Sequence, residues 1–391
     1  MYLDFTPEQQ ALRAELRSYF SELMTPEVRA KTRGLEGGDA YKSVIRQMGK
    51  DGWLCVGWPK EFGGQGKTEI EQFIFFEEAR RFGAPIPFVT VNTVGPALMT
   101  LGSEEHKAKY LPGIAAGETH FAIGYSEADA GTDLASLKTE AVQDGDDWII
   151  NGTKIWTSSA GDADYIWLAA RTDPDAKKHK GITIFILDTK TEGFSCAPIE
   201  VINGGHTYMS YYKDVRIPSA NIVGQLNGGW SLITAQLNHE RVGLAAFSSY
   251  GIYLVNRTID WARKTLDSDG NAVIERPWVR TNLAEAYAQV DAMKVMNWRM
   301  AWELQEGRLN PADASAVKVY GTECLLDVYR LLIEVVGPEA AVKGDPSTGD
   351  LAATLESEYR GATINTFGGG VNEVQREIVA MLGLQLPRAA R

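Results

Sequence analysis

Apolar residues recur at three- and four-residue spacing through Pro7–Leu23, Tyr41–Gly52 and Glu69–Gly83, which predicts helices over residues 1 to about 117, with glycine closing the latter two. From about residue 118 the period changes. The segments His120–Glu127, Lys138–Gln143, Trp148–Asn151, Lys154–Ser159, Tyr165–Arg171 and Gly181–Asp188 are short, rich in β-branched and aromatic residues, and separated by Asp-Gly and Asn-Gly turn pairs. They predict a compact β domain. After Gly228-Gly229-Trp230 the helical pattern returns and runs to Met381, broken by the polar stretches Leu266–Pro277 and Gly337–Asp350. The order is helices, then β, then helices, with domains expected at 1–117, 118–228 and 229–391. No internal repeat or low-complexity tract interrupts it.

One position breaks the helical pattern. Ile233, Leu237, Leu244 and Phe247 form an apolar stripe, and Glu240 falls on it. A lone buried carboxylate is costly, so such a residue is paired, protonated or functional. Glu240 is therefore a candidate general base, with a structural ion pair to a distant Lys or Arg as the alternative. Arg241 is adjacent in sequence and does not share its helix face. His239 carries only a weak case for a chemical role.

Composition narrows the class. The chain has 391 residues, 44% hydrophobic and 23% charged, enough to bury a sizeable core. Its formal charge of -12 disfavours nucleic acid or an anionic membrane as partner while leaving room for an anionic ligand in a local basic pocket. No apolar run approaches the roughly 18 residues of a membrane span, and the start Met1–Gln10 is acidic and helix-capping rather than signal-like, so a cytoplasmic location is expected. Cys55, Cys196 and Cys324 are widely separated and are expected to be buried small hydrophobes, with neither disulfide framework nor zinc site.

Three further segments carry candidate chemistry. Tyr125–Leu137 follows a strand and brings small and hydroxylated residues, Ser126, Ala130, Gly131 and Thr132, suited to close backbone approach by a planar or phosphorylated ligand; a plain polar loop is the alternative. Trp156, Thr157 and Ser158 are expected at a strand end after an Asn151-Gly152 hairpin turn, where an indole and two hydroxyls suit a flat heteroaromatic cofactor, unless Trp156 simply fills the β core. Trp53, Trp58 and Trp230 read as packing residues. Gly368, Gly369 and Gly370 precede an amphipathic helix that Asn372 is placed to cap, so the amides of Gly369 and Gly370 are candidate donors to a carbonyl or phosphate. HExxH, GxSxG, Walker A and GxGxxG motifs are all absent.

Taken together, the helix-β-helix order, Tyr125–Asp133, Lys154–Ser159 and the glycines before Val374–Ala380 resemble the acyl-CoA dehydrogenase flavoproteins, and the resemblance spans nearly the whole chain, including Pro59–Gly66, Tyr212–Pro218, Val223-Gly224 and Gly228-Gly229-Trp230. It implies an α+β multidomain fold: an N-terminal α-helical domain, a middle antiparallel β-barrel or sandwich, and a C-terminal four-helix bundle. It also implies FAD bound between the β domain and the C-terminal helices, and an acyl-CoA thioester lying against the flavin. Carried over by position, Tyr125, Ser126, Gly131, Thr132, Trp156, Thr157, Ser158, Val371 and Glu373 are the expected cofactor-binding residues. Thr132, Asn238, Arg241, Gly369 and Gly370 are the expected substrate-binding ones.

The resemblance also bears on the base and the assembly. Many members carry the catalytic Glu in a Tyr-Glu-Gly-Thr motif before the last helix, where this chain has Gly369; a smaller group carries Glu directly before a helix Arg, where this chain has Glu240 before Arg241. The implied reaction is α-proton abstraction by Glu240 with β-hydride transfer to flavin N5, the thioester oxygen receiving the Gly369 amide. It introduces an α,β double bond, and an electron-transfer flavoprotein would take the electrons. Homotetrameric members carry Arg-x-x-Phe-Gly and Gln-x-x-Gly-Gly motifs that reach a neighbour's FAD; here those places read Arg263-Lys264-Thr265-Leu266-Asp267 and Glu334–Pro338. This resembles the α2β2 acyl-CoA dehydrogenases of actinobacterial steroid side-chain degradation, implying a second acyl-CoA dehydrogenase-like subunit and a bulky or steroid acyl group, with a homotetramer as the alternative. Rival functions are a non-catalytic structural subunit and a flavin oxidase or monooxygenase on the same fold.

Overall fold

The computed structural model describes residues 4–234 and 247–387. They form two compact units, one drawn from Met1–Arg33, Thr68–Ala84 and Arg241–Arg391, the other from Gly34–Lys67 and Pro85–Glu240. N-terminal helices, a middle sheet and C-terminal helices follow one another along the chain as the sequence pattern predicts.

The sheet belongs to the second unit. Its strands are β1 (Phe121–Gly124), β2 (Glu140–Asp144), β3 (Asp147–Lys154), β4 (Tyr165–Arg171), β5 (Ile182–Asp188), β6 (Phe194–Glu200), β7 (His206–Pro218) and β8 (Ile222–Val223). They lie in the order β6-β7-β3-β2-β4-β5-β8, mostly antiparallel, with β1 added parallel to β4. The centre is apolar because β4 and β5 are near-continuous hydrophobic runs, and Ile166, Leu168, Phe185 and Leu187 bury against Ile150, Val215 and Ile217. Asp144-Gly145 makes the β2–β3 turn, with Gly145 at φ +64.

Asn151-Gly152 does not turn the chain. β3 runs straight through it, and the register against β7 shifts between Ile150 and Gly152 instead. Gly152 stands at φ +153, and a Cβ there would lie 2.5 Å from Thr139 Oγ1, so the glycine serves a bulge. Lys154 ends β3, so Ile155–Ser159 is not a strand. Strands β6 and β7 escape the periodicity because β6 has no fully buried position and the buried positions of β7 are irregularly spaced. Cys55 and Cys324 are buried as expected, whereas Cys196 on β6 is only partly so.

The first unit is helical. Pro7–Leu23 and Glu69–Phe82 each begin on a capping box, Thr6 with Gln9 and Thr68 with Glu71, and the second ends at Gly83 with φ +69. They meet through Glu78, which receives Arg13 Nε at 2.9 Å and Arg17 Nη2 at 2.7 Å. Helices Phe247–Lys264, Pro277–Gln305, Pro311–Val336 and Leu351–Ala362 share one core built from Leu254, Val255, Leu283, Val290, Val328, Leu332 and Leu355. The break at Leu266–Pro277 closes on itself: the Asp267 carboxylate accepts the amides of Asp269 and Asn271, each at 3.0 Å, and Arg276 Nε at 3.2 Å.

Candidate functional site

In the β unit the chain leaves β1 at Tyr125, and a buried ion pair fixes the loop that follows. Lys154 is fully buried; its ammonium donates to Glu127 Oε1 at 2.8 Å and to the Tyr125 carbonyl at 3.0 Å. The Glu127 carboxylate also accepts the amides of Lys138 at 2.7 Å and Thr139 at 2.8 Å. Burial pushes the Lys154 amine down to about 8, while Lys154 and the two amides outweigh burial at Glu127 and hold that carboxylate below its usual range. Trp167 Nε1 donates to the Tyr125 hydroxyl at 3.0 Å, and Glu127 and Ala130 exchange backbone hydrogen bonds at 3.0 and 3.1 Å. With its base so held, the loop presents Gly131 and Thr132 exposed, with open space about Gly131. A cavity of about 250 Å³ opens beside the ion pair, lined by Asp129, Lys138, Thr139 and Gly152 among others. Tyr125, Ser126, Thr132 and Trp156 do not line it, although their neighbours Glu127 and Ile155 do.

Trp156 sits immediately beyond β3, joined to the same loop by the Ile155 amide, which donates to the Ser126 carbonyl at 2.9 Å. Its backbone is left-handed, φ +61, and its indole is 57% exposed, so it does not fill the β core. An L-residue with a bulky side chain rarely holds that φ unless its surroundings enforce it. Here they do. The Thr157 amide donates to the Tyr208 carbonyl at 3.0 Å, the buried Thr157 hydroxyl is hydrogen-bonded to the Ser210 hydroxyl at 3.0 Å, and Ser158 Oγ lies 3.4 Å from Thr207 Oγ1. Thr157 and Ser158 thus use their hydroxyls to fasten the turn to β7, and the indole is what the turn exposes.

In the helical unit, Gly369 at φ +65 and Gly370 at φ +94 make a turn that only glycine adopts readily twice in succession. A Cβ on Gly370 would lie 2.7 Å from Gln375 Nε2. Asn372 is not the cap of the following helix: Val371 occupies the cap position without a side-chain bond, and Asn372 is turned inward to Thr322 and Glu323 at 3.1 and 2.9 Å. Lys318, on the Pro311–Val336 helix, donates to the carbonyls of Thr366 at 3.2 Å and Gly370 at 2.8 Å and to Asn372 Oδ1 at 2.7 Å. Burial pushes its amine down to about 8, against the pull of Glu373 and Glu323. Glu373 is exposed in the first turn of the helix. Residues Asn238, Glu240 and Arg241 lie outside the described residues.

Relatives decide the family. The acyl-CoA dehydrogenase N-terminal, middle and C-terminal domain models match residues 6–118, 122–215 and 227–384. The chain belongs to the acyl-CoA dehydrogenase family. It is 49% identical to acyl-CoA dehydrogenase FadE26 of Mycobacterium tuberculosis over 402 residues, covering all of both chains. Among solved structures it is similar to the Tcur3481-Tcur3483 steroid ACAD, at 50% identity and TM-score 0.95, and to a chain of the ChsE4-ChsE5 complex from Mycobacterium tuberculosis, at 49% and 0.94, covering all of each.

Within this acyl-CoA dehydrogenase, the loop that carries Tyr125, Ser126, Gly131 and Thr132 is tied to the segment that carries Trp156, Thr157 and Ser158 by the Ile155–Ser126 hydrogen bond and the Lys154 anchor. Gly369, Gly370, Val371 and Glu373 come together on the glycine turn. Sequence reasoning missed Lys154, Glu127 and Lys318. The signal for the first two was a lysine at the buried phase of β3 and an acid inside a small-residue loop; Lys318 gave none, since a lysine on an amphipathic helix normally reads as surface.

Proposed function

We propose that this chain is the catalytic subunit of an acyl-CoA dehydrogenase that introduces a trans-2 double bond into a bulky, steroid-type acyl-CoA, organised as domains 1–117, 118–228 and 229–391 and acting in the cytoplasm. The observation that carries the cofactor part is Trp156, an indole exposed on an enforced left-handed turn that the Ile155 amide ties, through the Ser126 carbonyl, to the loop carrying exposed Gly131 and Thr132. That pairing of an aromatic plane with accessible amides and hydroxyls fits a flat heteroaromatic ring joined to a phosphate, as in FAD. FAD, when bound, supplies the hydride acceptor. Tyr125, Ser126, Thr157 and Ser158 border its ring, Val371 and Glu373 serve it from the glycine turn, and Thr132 meets phosphate. Asn238, Arg241 and Gly370 hold the substrate.

Glu240 takes the α-proton in this reading, supported by its place on an apolar stripe and by the glycine at the position many relatives give to the base. The Gly369 amide donates to the thioester oxygen, where charge develops; one such donor contributes about 3 kcal/mol in other enzymes. The steroid class rests on what similar proteins are named to be. The dissimilar partner, in an α2β2 assembly, rests on the self-closed Asp267 loop and on Glu334, whose carboxylate accepts Asn282 Nδ2 at 3.1 Å, in place of the motifs homotetramers extend to a neighbour. An electron-transfer flavoprotein is the proposed electron acceptor.

Co-expression with the product of the neighbouring gene, followed by counting FAD, tests the assembly: one FAD per two chains is expected, and one per chain in a homotetramer refutes the heteromer. Glu240→Gln should retain FAD and lose activity by about 100-fold or more. Unchanged turnover would remove Glu240 as the base.

A further inference from the structure

We propose that Lys318 is a positioning residue for the Gly369 amide, clamping both ends of the glycine turn so that this amide is held out at one fixed angle. The inference rests on the reading of Gly369 as the donor to the thioester oxygen. Its evidence is geometric. An ammonium has three protons, and Lys318 meets three oxygens: Thr366 O at 3.2 Å before the turn, Gly370 O at 2.8 Å within it, and Asn372 Oδ1 at 2.7 Å after it. Gly369 lies between the first two of these anchors.

The turn needs such a clamp. The Gly369 N–H lies in the peptide that joins Gly368 to Gly369, and Gly369 and Gly370 both have positive φ, so the amide is flanked by glycines that have no side chains to pack and hold it. Local backbone bonds secure only the approach, where the amides of Phe367 and Gly368 donate to the Ile364 carbonyl at 3.2 and 2.8 Å. Among the described residues the Gly369 amide itself donates to no acceptor, and it is exposed. Lys318 is in turn braced: Asn372 Nδ2 donates to Glu323 Oε1 at 2.9 Å, and Arg376 Nη2 to Glu323 Oε2 at 2.7 Å. The clamp therefore belongs to a network crossing from the Pro311–Val336 helix to the Asn372–Ile378 helix, outside the groups assigned to proton or hydride transfer.

The test uses the enzyme assembled with its partner subunit, comparing wild type with Lys318→Met, Lys318→Gln and Lys318→Arg. Lys318→Met and Lys318→Gln should lower kcat by about 10- to 100-fold, the cost of displacing a reacting-centre contact by about 1 Å, with KM changed by less than about threefold and FAD content unchanged. Lys318→Arg, which keeps charge and donors, should recover part of the loss. Two readouts separate positioning from mere stability. The infrared stretch of a 13C-labelled thioester carbonyl, in the enoyl-CoA product bound to oxidised enzyme, should move back toward its free value in Lys318→Met. Hydrogen exchange over residues 367–372 should accelerate. A kcat loss that tracks only melting temperature, with the carbonyl stretch unmoved, overturns the proposal, as does wild-type kcat in Lys318→Met. Should wild type oxidise no acyl-CoA, the functional reading fails by itself, and the exchange over 367–372 alone decides whether Lys318 holds the turn.

Discussion

Lys154 and Glu127 meet at 2.8 Å beneath the loop that carries Tyr125, Ser126 and Thr132, the lysine fully buried and the acid nearly so. The pair joins the end of β3 to the exit of β1, and the lysine's second bond, to the Tyr125 carbonyl, places the loop directly. Lys154→Met would leave a buried carboxylate with only its two amide donors. Breaking one side of a buried pair typically costs about 3–5 kcal/mol, and a loss of that size in chemical denaturation is expected. FAD retention should fall in parallel. A loss below about 1 kcal/mol would mean Glu127 is adequately held by the amides of Lys138 and Thr139.

Trp156 separates stability from ligand binding. Its left-handed backbone carries a strain of about 1–2 kcal/mol that glycine would relieve, offset by glycine's extra freedom in the unfolded chain. Trp156→Gly should therefore leave the free energy of unfolding within about 1 kcal/mol of wild type. Removing an aromatic face should weaken FAD binding by about 0.5–1.5 kcal/mol, roughly 2- to 10-fold in Kd, read by fluorescence titration of the deflavinated protein. A large stability loss with unchanged FAD affinity would make the indole a structural element.

Acid should loosen the helical unit through Glu78. Burial pushes its carboxyl up, but hydrogen bonds from Arg17 and Arg13 outweigh that and hold it below its ordinary value of 4.5. A carboxylate depressed in the folded state contributes stability that is complete above about pH 4.5 and is lost as pH falls through its folded value. Wild type should thus lose stability below about pH 4.5 more steeply than Glu78→Gln, which is already less stable at neutral pH. Parallel acid curves for the two proteins would dismiss the pair.

Alkali should act oppositely on rate and stability at Lys318. Its amine titrates at about 8 rather than the ordinary 10.5, with Glu323 and Glu373 facing it and Arg376 paired to Glu323. The three-point clamp is complete below about pH 8 and loses a donor as pH rises through that value. kcat should fall across that limb in wild type and stay flat there in Lys318→Met. Between about 8 and 10.5 the unfolded chain binds the proton more than the folded one, so this group makes global stability rise with pH while kcat falls. A kcat limb near pH 8 that persists in Lys318→Met belongs to another group.

Periodicity sufficed for the long elements. Helices Pro7–Leu23 and Glu69–Phe82, with their capping residues, and the apolar strands β4 and β5 were legible because burial on one face or both writes directly into spacing. The exposed turns were legible for a different reason: small residues, glycines and an indole stand in segments that need none for packing. β7 was not legible, since its buried positions are irregularly spaced, and the bulge at Gly152 imitated a hairpin turn because both favour glycine.

By itself the sequence determined the order of helices, sheet and helices, the glycine- and hydroxyl-rich segments where ligand contact is proposed, and an acid at position 240 where the apolar spacing calls for a hydrophobe. Only the tertiary structure decided what holds those segments in place. Lys154 reaches Glu127 across 27 positions and Lys318 reaches Gly370 across 52, and no local pattern marks such partners. A lysine's long side chain can be solvated or buried from the same place in a helix or strand, and which it does depends on whether distant oxygens converge on its ammonium. That convergence is a property of packing, and it converts two flexible loops into fixed surfaces.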